Sequence, residues 1–138
     1  MPKLSEFYVD AAALAGQWHV LNWGEWGPAD TQDDPEKLYG LIGSTLSEHY
    51  QTVQRDVLSE FGKEATEYQI ETECIARGLL LGWKNYLDDA GADVPYSVAE
   101  SVRIMSDPRN AGLRAYIRTT GNNPKRLRDA HLDRIRKN

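Results

Sequence analysis

The chain has 138 residues, of which 41% are hydrophobic and 27% charged, and its net charge is −5. That balance belongs to a folded globular domain, and it excludes a chain that is disordered throughout or that needs covalent staples to hold a core. Cys74 is the sole cysteine, which excludes an internal disulfide and a thiolate metal cluster and fits a reducing compartment.

The charge is unevenly placed. Residues 103–138 carry ten basic residues (Arg103, Arg109, Arg114, Arg118, Lys125, Arg126, Arg128, Arg134, Arg136 and Lys137) against Asp107, Asp129 and Asp133, a balance of +7. The first 102 residues, with six basic against eighteen acidic, stand at −12. Such a layout suggests either self-association or an acidic partner, against the plainer reading of two solvated faces of opposite sign. Asp10 interrupts the apolar stretch near the N-terminus, and no segment approaches the roughly 20 apolar residues of a membrane helix. The cytoplasm is the expected location.

In chain order, Trp18 to Trp23 is aromatic and branched and predicts a strand. Gly24, Gly27, Pro28 and the acidic run to Pro35 make a long turn, and Leu38 to Ile42 predicts a returning strand. Residues 1–44 are thus expected as a β-hairpin lobe. From Thr45 the periodicity becomes helical. Leu46, Tyr50, Val53, Val57 and Phe61 fall on one face, Thr45 with Glu48 offers a capping box, and Gly62 is the stop. A second helix is predicted from about Glu64 to Leu87, with Tyr68, Ile75, Leu79, Gly82 and Tyr86 in line and a Glu73/Arg77 pair on its other side. Ser97 and Glu100 cap a short helix ending near Ser106. Asp107-Pro108 starts another, with Leu113, Tyr116 and Ile117 as its apolar face and Gly121 as its end. Asn123-Pro124 opens the last, which carries Leu127, His131 and Ile135. The expected architecture is α+β, mainly α: one domain, with the hairpin lobe packed on about five helices spanning 45–138.

Little of this is arranged for chemistry. The three histidines form no ligand pair, and His19, His49 and His131 each read as core or half-buried imidazoles. No phosphate loop, nucleophile elbow or dinucleotide glycine pattern is present. Cys74 lies between acidic residues, which favours an inert thiol. Asp89, Asp93 and Glu100 match some positions of a calcium loop, but Val94 stands where its glycine is required. The expectation is a protein without catalytic, cofactor or metal residues. Nucleic acid is a disfavoured partner. Arg126, Arg128, Arg134, Arg136 and Lys137 could meet phosphates, yet Asp129 and Asp133 interrupt them, with Asp133 placed to pair with Lys137, and no aromatic follows Tyr116. Trp18 and Trp23 are five apart, so an unbroken strand would point them to opposite faces and expose one indole. Trp23, Trp26, Arg114, Arg118, Arg126, Arg128 and Arg134 are the candidate partner-binding residues.

Gly78 to Ile117 contains a helix ending in Gly82-Trp83-Lys84, a polar turn with Gly91, and Val94-Pro95-Tyr96-Ser97 opening a capped short helix. With Gly16-Gln17-Trp18 and the stretch from Leu41 to Tyr50, this resembles tail assembly chaperones of long-tailed bacteriophages over roughly residues 16–120. The matching residues are turn, cap and packing positions; the tryptophan-rich hairpin and basic C-terminus depart from the pattern. What the resemblance implies is a non-catalytic helper that binds the tape measure protein, keeps its apolar helices soluble and brings tail tube subunits to it. A small virion subunit, such as a connector or decoration protein, is the alternative.

Overall fold

The computed structural model describes residues 3–4 and 8–137. A one-turn-and-a-half helix, α1 (Ala11–Ala15), precedes strand β1 (Gln17–Val20) and the two-residue strand β2 (Gly27–Pro28). Strand β3 (Tyr39–Ile42) leads to the helix pair α2 (Glu48–Phe61) and α3 (Glu67–Gly78), then to strand β4 (Leu80–Lys84). Three helices complete the chain: α4 (Val98–Ser106), α5 (Ala111–Gly121) and α6 (Pro124–Lys137). The mainly helical α+β class is as the sequence predicts.

The expected hairpin is present as β1 against β3, antiparallel, with Trp18 opposite Leu41 and His19 opposite Gly40. It is not a separate lobe, however. The strands order as β2-β1-β3-β4, so the hairpin is the middle of a four-stranded antiparallel sheet. The strand β4 corrects the predicted helix of 64–87. The run Leu79-Leu80-Leu81 has no helical alternation with polar residues, and such short apolar runs suit either state. The open edge of β3 decides: Tyr39 pairs with Lys84 and Gly40 with Trp83, which satisfies backbone groups that a two-stranded ribbon would leave to water.

Helix boundaries shift for similar local reasons. Ser47, not Thr45, caps α2, its hydroxyl accepting the Tyr50 amide at 3.1 Å. Thr45 is instead tied to the end of α5, its amide donating to the Gly121 carbonyl and its hydroxyl to Asn122 Oδ1. The reciprocal capping box lies at Thr66 and Gln69, starting α3 there and not at Glu64. Gly62, at φ 60°, does end α2. Ser97 caps α4 as expected, and Asp107 opens a single 3-10 turn that feeds α5.

The core lies where α3, α4 and α5 cover the sheet. Ile42, Ile75, Leu79, Leu80, Ile104, Met105 and Ile117 pack there, and each contributes about 2 kcal/mol through removal from water. Val53, Val57 and Cys74 form a second cluster between α2 and α3. These helices approach closely at Gly78, where an added Cβ would stand 2.7 Å from Tyr50 Cδ2. The predicted stripes are only partly buried: Leu46, which precedes α2, is exposed, as are Tyr68 and Ile135.

Candidate functional site

The N-terminal segment docks against α5 and α6 through polar side chains. Arg126 donates from Nη1 to Gln17 Oε1 at 2.8 Å, from Nε to the Thr120 carbonyl at 3.0 Å and from Nη2 to the Gly43 carbonyl at 3.0 Å. An arginine can only donate, so the Gln17 atom facing it is the amide oxygen. That same oxygen lies 3.1 Å from His19 Nε2, which therefore carries the proton. Nδ1 is left to accept from the Tyr116 hydroxyl at 2.8 Å. His19 is only 2% exposed, and burial, followed by the charge of Arg126, depresses its pKa from 6.5 to about 4. The imidazole is thus neutral at pH 7, and burial raises the pKa of Tyr116 as well.

An aromatic series continues from this network to the surface. Tyr116 meets Trp26 with ring centroids 4.5 Å apart, and Trp26 meets Trp23 at 5.2 Å, edge to face. Trp23 is 82% exposed. It does not belong to a strand: β1 ends at Val20, and the chain turns where Asn22 Oδ1 accepts the Leu38 amide. Spacing left open which of Trp18 and Trp23 is exposed; the turn at Asn22 selects Trp23. Its ring overlies α5, since a Cβ on Gly112 would fall 2.7 Å from Trp23 Cζ3.

Beside this series a groove of about 830 Å³ opens between α1, β1 and β2 on one wall and the end of α5 and α6 on the other. Trp26, His19, Tyr116 and Arg126 line it. At its far end Arg134 forks onto Asp10, which also caps α1 by accepting the Ala13 amide. Burial opposes ionisation of Asp10, but the bonds from Arg134 and the Ala13 amide outweigh it and hold the carboxyl below its ordinary range.

Of the seven residues marked by the sequence, Trp26, Arg126 and Arg134 gather at this groove, with Trp23 against Trp26. The others do not join them. Arg114 is 8% exposed, lies over the Tyr68 ring at 4.1 Å and bonds Glu71 and Thr72. Arg118 shares Glu71. Arg128 is half-buried on α6 and does not line the groove. Much of the charge asymmetry is therefore resolved within the fold, basic α5 and α6 pairing with Glu71 and Asp10 of the acidic segment. On α6 itself the ion pair is Lys125 with Asp129; the pair expected from Asp133 to Lys137 lies outside the described side chains. Gln17 and Asp10 escaped sequence reasoning, since nothing local marks contacts that span 109 and 124 residues.

Cys74 is buried, and its thiol pKa is raised by burial first, with Glu73 and Glu71 adding to it and Arg77 opposing. Among the described residues no group of three or more His, Cys, Asp or Glu could hold a metal ion. No described helix is long and apolar enough to cross a membrane.

A family model described as YdaY prophage protein matches residues 38–138, from the start of β3 to the end of the chain. The chain belongs to this prophage protein family. No curated protein and no solved structure matches it. The family segment contains Tyr116, Arg126 and Arg134, while α1, β1 and β2 precede it, so the groove has one wall inside the matched span and one before it.

Proposed function

We propose that this phage-related protein is a tail assembly chaperone, a non-enzymatic helper that works without a cofactor in the host cytoplasm, binding the tape measure protein and tail tube subunits. The observation that carries a binding role is Trp23. A side chain of that size, 82% exposed yet propped on Trp26 and Gly112, loses little freedom on contact and has apolar area to bury. The prophage family supports the setting, and the resemblance from Gly16 to about residue 120 supports the tail. Nucleic acid is disfavoured further because Arg114, Arg118 and Arg134 are each paired with a carboxylate of the chain itself.

Co-expression with the tape measure and tail tube proteins of the same prophage tests this. Both should co-purify with the tagged chain, and mass spectrometry should find the chain depleted from finished particles. Failure to retain either partner would remove the chaperone reading; stoichiometric presence in finished particles would make the chain a virion subunit instead.

A further inference from the structure

Arg126 is only 9% exposed, and its partners are all neutral: two backbone carbonyls and the Gln17 amide. These bonds leave one hydrogen on each terminal nitrogen without an acceptor among the described residues. No carboxylate lies within ion-pairing distance of it there, whereas Arg114, Arg118 and Arg134 each have one. A buried cation without a counter-ion is costly unless something supplies the charge. The first turn of α6, which holds Arg126, contains no acidic residue to offset the positive end of the helix. Trp26 lines the same groove, and its Nε1–H is shielded from solvent with no acceptor among the described residues. Both residues line one open groove.

We infer that the groove between β1, β2 and α6 docks a partner polypeptide through a side-chain carboxylate seated on Arg126, with apolar neighbours against Trp26 and Pro28. The rim sets the class of anion. Asp30 and Asp133 stand exposed along it, beside Asp129 in its ion pair with Lys125, so a phosphate backbone would lay its repeated charge along acidic side chains. A lone carboxylate among apolar residues brings a single negative charge past that rim, where a phosphate backbone brings one at every residue. Charge-assisted, forked bonds to a carboxylate are the strong contacts of such a site, and the indole walls supply apolar area. The inference rests on the protein-binding reading and assigns it a place.

The test is a titration of the full chain, with nitrogen-15 in its tryptophans, by a short acetylated and amidated alanine–leucine peptide bearing one central glutamate. The Trp26 indole resonance, assigned with Trp26→Phe, should shift on binding, and the glutamine version of the peptide should bind about tenfold or more weakly. Inorganic phosphate and a single-stranded oligonucleotide should leave the resonance in place. Because Arg126 also holds α5 to β3, the blocking variant is Ala130→Phe, which fills the groove from α6. It should lose the peptide while the indole resonance of Trp83, which does not line the groove, stays where it is. Equal binding of the two peptides, no Trp26 shift with the glutamate peptide, displacement by phosphate or oligonucleotide, or unaltered binding by a folded Ala130→Phe would each overturn the inference. If the groove fails while the tail tube protein still co-purifies, only the docking place is lost.

Discussion

The Tyr116 hydroxyl donates to His19 Nδ1 at 2.8 Å, joining α5 to a strand 97 residues earlier in the chain. The bond requires a neutral imidazole, because a protonated ring would present a hydrogen to the hydroxyl and a second positive charge near Arg126.

Stability should therefore fall in mild acid. The unfolded chain takes up a proton on His19 near pH 6.5, and the folded chain only near pH 4. The contribution is complete above pH 6.5, is lost as pH falls towards 4 and does not change further below that. A shift of this size corresponds to about 3 kcal/mol. Urea unfolding at pH 7 and pH 4.5 should show the loss, and His19→Gln should flatten it. Equal midpoints for the native protein at both values would contradict the placement of His19.

Asp10→Ala removes the cap of α1 and leaves Arg134 without its carboxylate. A lost cap alone costs about 1 kcal/mol. Hydrogen exchange in Ala11–Ala15 and along the second half of α6 should accelerate, with the amides of α3 unaffected. Since the Asp10 carboxyl is held below 3.8, the clasp should persist in the native protein until the pH drops beneath that value.

Arg114 and Arg118 share Glu71 but should differ in worth. Arg114→Ala strips a buried group with the Thr72 bond and the Tyr68 ring contact, and should cost about 2 kcal/mol or more. Arg118→Ala loses an exposed pair and should cost about 0.5 kcal/mol or less. Thermal melts of the two variants give the comparison; similar losses would mean that burial of Arg114 adds nothing.

Trp23→Ala should leave the fold nearly as stable as before, because the indole is exposed and rests on α5 from outside. Retention of a partner protein should drop by tenfold or more, the loss typical of a central aromatic contact. A variant that binds as the native chain does would show that Trp23 is surface ornament only.

Local pattern made several elements legible. Gly62 as the stop of α2, Ser97 as the cap of α4 and Pro124 at the head of α6 depend on neighbours within one turn, where sequence distance and spatial distance coincide. The pairing of β1 with β3 was legible too, through two β-rich runs around an acidic, proline-containing turn. The segment Leu80–Lys84 was not: its composition suits helix or strand, and only the vacant edge of β3 selects strand.

The candidate site shows the same division. Side-chain type alone marked Trp23 and Trp26 as contact residues and the last two helices as basic. Whether a given arginine faces water or the interior depends on what the rest of the chain brings to it. Arg126 and Arg128 are two residues apart on one helix, yet Gln17, Thr120 and Gly43 converge on the first and leave it buried, while the second stays outside the groove. Helix caps and turns are set by bonds a few residues long, so the sequence by itself determined them. The groove and its uncompensated cation come from contacts made only after the sheet and helices have packed, so tertiary structure alone decided them.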